Sequence, residues 1–126
     1  MLPHEIRKYL FDIVQACDLL LQFTKGKSFA DYSGDALLRS AVERQFELIG
    51  EALSQALRIE PRLARRISYT QRIVSFRNRL IHGYASVSDE LVWGVLEVNL
   101  PALRREVQVL LDEPKGGEEG STLGSD

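Results

Sequence analysis

Asp35-Ala-Leu-Leu-Arg-Ser-Ala-Val-Glu-Arg-Gln-Phe-Glu-Leu-Ile-Gly-Glu-Ala-Leu-Ser-Gln-Ala-Leu-Arg58 is the stretch on which the fold turns. Leu38, Ala41, Val42, Gln45, Leu48, Ile49, Ala52, Leu53 and Ala56 recur at steps of three and four, the period of a helix with a broad apolar face. Ser33-Gly-Asp35 ahead of it offers N-cap chemistry, and Pro61 behind it turns the chain away. Gly50 sits inside this helix, where glycine costs about 1 kcal/mol relative to alanine. A residue that unfavourable points to close approach by another backbone.

Working outward, Ile6, Leu10, Ile13, Cys17, Leu20 and Thr24 mark the stripe of an earlier helix, from about Pro3 to Lys25, with Gly26 as its stop. Phe29-Ala-Asp-Tyr32 is read as a short connecting turn. Beyond Pro61 a turn over Arg62 to Ile67 leads to a third helix, about Tyr69 to Ile81, which Gly83 closes in the left-handed conformation. Ser86-Val-Ser-Asp89 has capping-box spacing for a fourth helix that points Leu91, Val95, Val98, Leu103, Val107 and Leu110 inward. Pro101 is expected to kink it. The fold class is all-α, an antiparallel bundle of four main helices.

One domain over residues 1–112 accounts for every periodic segment. The remainder, 113–126, is Gly-, Ser- and acid-rich, with too little apolar surface to order itself. No apolar run approaches the roughly 20 residues of a membrane span. Met-Leu-Pro-His-Glu-Ile-Arg-Lys opens with charges where a signal peptide needs an apolar stretch, so a cytoplasmic protein is expected. Cys17 is the one cysteine, which excludes an internal disulfide; its place on the apolar stripe makes it a buried structural thiol.

The net charge of −2 conceals an asymmetry. Between Arg58 and Arg79 stand seven arginines and a single acid, Glu60, so that window carries +6 and the rest of the chain −8. Such a run is either a solvated helical face or a surface for phosphate, whose oxygens suit the planar guanidinium.

The window ends in Arg77-Asn-Arg-Leu-Ile-His82-Gly-Tyr84. An imidazole exchanges a proton near neutral pH, and an arginine beside it stabilises charge gathering on a phosphate in the transition state. With RNA the 2′-hydroxyl is the nucleophile, so neither a metal nor a protein nucleophile is needed, and no Cys/His cluster has metal-ligand spacing. Arg77 and His82 are five residues apart, so on an unbroken helix they diverge by about 140°. They converge only if the last turn unwinds beside Gly83. Spacing alone fits a capping histidine and a surface arginine equally well.

Arg77-Asn-Arg-Leu-Ile-His82-Gly-Tyr84 resembles the R-x4-H-x-Y motif of the HepT family within the HEPN superfamily. Val42-Glu-Arg-Gln-Phe-Glu-Leu-Ile-Gly-Glu-Ala52 resembles that family's second-helix signature, and Ser88-Asp-Glu-Leu-Val-Trp93 with Asn99-Leu-Pro-Ala-Leu103 its fourth helix. Tyr69 stands where similar proteins often carry tryptophan, a departure expected to touch packing alone.

The resemblance implies a HEPN-like homodimer with no cofactor, a metal-independent endoribonuclease toxin whose cleft is shared by two subunits. Arg77 is then the phosphate-binding and transition-state residue and His82 the general acid/base. Asn78 is a donor to phosphate or to His82, while Arg79 contacts RNA or pairs with an acid. Glu51, flanked by Gly50 and Ala52, is expected as a buried carboxylate partnered by Arg77 or Arg44. Tyr84 is implied to receive AMP from an MNT-type nucleotidyltransferase antitoxin in a type VII-like toxin–antitoxin pair. The alternative is a non-catalytic HEPN subunit that binds nucleotide, or substrate for a nucleotidyltransferase partner.

Overall fold

α1 (His4–Thr24), α2 (Phe29–Ser33), α3 (Ala36–Ile59), α4 (Thr70–His82), α5 (Asp89–Gly94) and α6 (Leu100–Asp112) succeed one another in a computed structural model that describes residues 2–83 and 87–114. Tyr84, Ala85, Ser86 and residues 115–126 therefore lie outside the described residues. A 3₁₀ turn, Pro61–Arg65, follows α3, and a π-helical turn, Val95–Asn99, joins α5 to α6. No strand interrupts the described residues. The main helices lie side by side in the order α6, α1, α3, α4, and no described helix is long and apolar enough to cross a membrane.

The caps explain the boundaries. Ser28 and Asp31 form a reciprocal capping box that makes the segment after α1 a true helical turn, where a bare connection was expected. Asp35 caps α3 by accepting from the Leu38 N–H at 3.1 Å. Ser88, two residues nearer the helix than Ser86, caps α5 by accepting from the Leu91 N–H at 3.1 Å. Gly26 and Gly83 close their helices with φ of +74° and +71°. Tyr69, ahead of α4, also takes a left-handed φ of 64°, a conformation that costs a side-chain-bearing residue about 1–2 kcal/mol. Glu106 of α6 offsets some of that cost, accepting from the Ser68 N–H at 2.9 Å and its hydroxyl at 2.8 Å.

The core follows the expected stripes with two corrections. On α3, Phe46 is fully buried edge-on to Phe76, ring centroids 5.1 Å apart, whereas Leu48 is 41% exposed. On the last helix, Val98 is 64% exposed, and Val92, Leu96, Asn99 and Leu100 face inward. Val98 and Leu103 are five residues apart and cannot share a helical stripe. The π turn settles which residues do: the Leu100 N–H reaches back to the Val95 carbonyl. This widened turn accommodates Pro101, which has no N–H and whose ring crowds the carbonyl four residues earlier.

Cys17 and Tyr32 are the buried titratable groups of this core. Burial, with Asp18 adding to it, pushes the Cys17 thiol up to about 12, so it stays protonated through the physiological range. Burial likewise raises the Tyr32 phenol; it lies against the Trp93 ring at 5.4 Å and its hydroxyl has no partner among the described residues. Native protein should therefore resist Ellman's reagent at neutral pH and release one thiol equivalent only in denaturant. Fast reaction under native conditions would show that α1 does not stay packed against α3 and α6.

Candidate active site

Everything at this site is arranged around Arg77. The side chain leaves α4 and lies on α3 at Gly50, and a Cβ built on Gly50 would fall 2.3 Å from the Arg77 Cβ and 2.6 Å from its Cγ. What approaches Gly50 is thus the stem of a side chain, where a backbone was expected. Glycine is required here for space, since α3 is regular at this point. The stem is held, and the Arg77 side chain is only 17% exposed.

Its head group is committed as well. Nη2 donates to Glu51 Oε1 at 2.8 Å and Nη1 to Asn78 Oδ1 at 2.9 Å. Glu51 in turn accepts from Gln55 Nε2 at 3.0 Å. Glu51 does pair with Arg77, but its side chain is 53% exposed, so the expected buried carboxylate is an exposed one leaning over the guanidinium. Arg44 pairs instead with Glu47. A planar guanidinium joins two acceptors in one plane; an ammonium on a flexible stem does not.

α4 remains helical through His82, and the Gly83 N–H reaches the Arg79 carbonyl at 3.2 Å. The last turn is not unwound. Arg77 therefore points toward α3, while His82 lies about 140° around the same helix on its exposed side. The residues sharing the His82 face are Asn78, four positions earlier, and Arg79, three earlier. Within one protomer the helix brings His82 beside Asn78 and Arg79, and Asn78 links that face to Arg77. Tyr84 falls outside the described residues.

Sequence reasoning passed over two further polar residues. Asn99 is 2% exposed, and its Oδ1 accepts from Arg72 Nε at 3.2 Å. The signal was an amide on an apolar stripe two residues before a proline. Gln55, one turn beyond Glu51 on α3, had no signal beyond its spacing. Among the described residues, no group of three or more His, Cys, Asp or Glu side chains could hold a metal ion.

An all-helical bundle with an arginine and a histidine on one helix end defines a class before it defines a relative. The family described as Ribonuclease HepT-like matches residues 13–110. The chain belongs to that family and is an endoribonuclease by class. A protein of Thermococcus cleftensis named probable ribonuclease HepT is 31% identical over 104 residues, spanning 82% of this chain and 94% of its own. A provisionally named RNase of Caldanaerobacter subterraneus is 31% identical over 109 residues, 86% of this chain and 96% of its own. Another, from Methanocaldococcus jannaschii, is 26% identical over 121 residues, 96% and 99% of the two chains. No solved structure matches.

Gly50→Ala tests the keystone. Helix propensity alone favours the alanine by about 1 kcal/mol, but overpacking against the rigid start of the Arg77 side chain costs about 1–3 kcal/mol. The variant should unfold at lower urea than the wild type, because Arg77 must move. A gain in stability would mean that α3 and α4 slide apart freely.

Proposed function

We propose that this chain is a metal-independent endoribonuclease toxin whose active site combines Arg77 of one subunit with His82 of another in a homodimer. The observation that carries this reading is the divergence of the two side chains on an unbroken α4. A second copy, apposed across the exposed side of α4, supplies the missing group. Short chains bury a modest share of their surface alone, and Leu48 and Leu19 rim a groove of about 350 Å³ between α1 and α3 that reaches Glu51.

The reaction is transesterification. His82 draws the proton from a ribose 2′-hydroxyl, whose oxygen attacks the neighbouring phosphorus. The P–O5′ bond breaks, leaving a 2′,3′-cyclic phosphate and a 5′-hydroxyl that takes up a proton from water or from the imidazolium that His82 has become. The Arg77 guanidinium lies against the non-bridging oxygens as charge gathers on them. Asn78 and Arg79, on the His82 face, bind the flanking phosphates, and Glu51 holds Arg77 in place.

Purified protein should cut single-stranded RNA in EDTA, and His82→Ala should abolish cutting while leaving the helical circular dichroism unchanged. Arg77→Met keeps the stem against Gly50 and removes the guanidinium, so it too should be inactive. Mixing the two inactive variants with subunit exchange should restore about a quarter of wild-type activity, since half the dimers carry one intact composite site. An inactive mixture would sink the shared site, and strict dependence on added Mg²⁺ would sink the metal-free chemistry.

Regulation is assigned to Tyr84 by the same reading. An MNT-type nucleotidyltransferase antitoxin passes AMP from ATP to the phenol oxygen; pyrophosphate leaves and the phenolic proton is lost. Each AMP places a phosphate charge two residues from His82 and repels RNA. Intact-mass measurement after incubation with such a partner and ATP should show added AMP on the wild type and none on Tyr84→Phe, which should stay active. A Tyr84→Phe chain that is still modified and silenced would move the handle to another residue.

A further inference from the structure

The edge of α4 turned toward α5 extends the cationic face beyond Arg79, already assigned to a flanking phosphate, to Arg72, which the proposed reaction does not use. Arg72 and Arg79 are seven residues apart, two turns on one helix face and about 10.5 Å along it. They rim a groove of about 180 Å³, with Ser75 between them and Phe76, Leu91 and Val95 forming its apolar floor. Among the described residues, no acidic side chain lines it. Arg79 has no ion-pair partner among the described residues, and it stands one turn before His82, so the groove opens beside the catalytic face.

Arg72 is the telling residue. Its Nε donates to Asn99 Oδ1 at 3.2 Å, and Asn99 is 2% exposed within the π-helical turn. A neutral buried amide grips the guanidinium by its inner nitrogen and leaves both Nη groups of this exposed side chain uncommitted among the described residues. A carboxylate at the same place would have neutralised the charge; the amide orients it and leaves it whole. Side-chain immobilisation entropy is met in advance, which is what a preorganised anion contact requires. π-helical turns often accompany functional sites, and this one presents the amide.

We infer that the α4/α5 groove, with Arg72 held by Asn99, is a phosphate subsite that carries the RNA strand away from the cleavage point along α4. It rests on the ribonuclease reading and deepens it: the substrate is a single strand extending past the scissile bond, and a contact far along the helix from the chemistry contributes to affinity. Asn99 is a positioning residue that acts through Arg72.

The test uses the full chain carrying His82→Ala, which cannot consume its ligand, and a fluorescently labelled single-stranded RNA of about a dozen nucleotides, with the dissociation constant followed by anisotropy across a salt series. Adding Arg72→Gln should weaken binding and reduce the slope of log Kd against log salt by about 0.7, the value for one lost phosphate contact on a single strand. Asn99→Ala, which keeps the charge but frees it, should weaken binding severalfold with little change in slope. Arg105→Gln, at an exposed position of α6, should alter neither. If Arg72→Gln lowers the melting temperature yet binds RNA with the parent's affinity and slope, the Arg72–Asn99 bond is only a strut and the inference falls, with the ribonuclease reading intact. If the His82→Ala parent binds no RNA at all, the ribonuclease reading itself falls.

Discussion

The contact between Gly50 and the Arg77 stem governs the rest of the molecule. A side chain of any size at position 50 would overlap Arg77 at its Cβ, so the distance between α3 and α4 is set by the absence of one atom. That distance then determines where the guanidinium ends. It emerges one residue farther along α3, at Glu51, and meets Asn78 on its own helix. Phe46 and Phe76 pack edge-on across the same pair of helices and complete the seam from the apolar side. The packing of α3 on α4 and the placement of the guanidinium thus rest on one contact, and the same glycine serves both.

Such anchoring has a cost. The Arg77 Nε is buried without an acceptor among the described residues, and an unmade bond of that kind is worth about 1–3 kcal/mol. Two charge-assisted bonds from the Nη groups and burial of the stem offset it. The outcome is an arginine with little rotational freedom, aimed toward α3 and away from the face that carries His82. An arginine held in that direction is what the proposed two-subunit site calls for.

Much of this was legible in the linear chain, and the misses share a cause. Helix existence, the caps at Asp35 and Gly83 and the buried Cys17 follow from periodicity and residue chemistry, which are local; that Glu51 wants a cationic partner was legible too, but the choice between Arg77 and Arg44 lay with the packing of α3 on α4. Leu48 against Phe46, and Val98 against Asn99, were lost where a stripe had to be assigned to one of two adjacent rows. On α3 the broad apolar face leaves that choice to the partner helix. At the last helix a π-helical turn decides it, and a proline advertises a disturbance without saying which kind. Gly50 signalled close approach, but nothing near it in sequence could name the side chain of Arg77, which belongs to a different helix. The unwinding that would have brought Arg77 and His82 together on one helix is absent, because a left-handed glycine closes the helix just after His82 without loosening its last turn.

The position of α6 bears on how the chain matures. This helix, the last of the described helices to be synthesised, is one of the two long neighbours of α1. The Leu111 carbonyl accepts from Arg7 Nη2 at 2.7 Å, across 104 positions, and Asp18 accepts from Arg104 at 2.6 Å. Glu106 steadies the strained corner at Tyr69, and Asn99 grips Arg72. Synthesis proceeds from the N-terminus at about 5–20 residues per second, so a nascent chain holds α1, α3 and α4 for seconds before any of these ties exists. Closure of the bundle therefore waits on the synthesis of α6, and the arginine row acquires its fixed geometry only once the π turn and that helix have joined α1, α3 and α4.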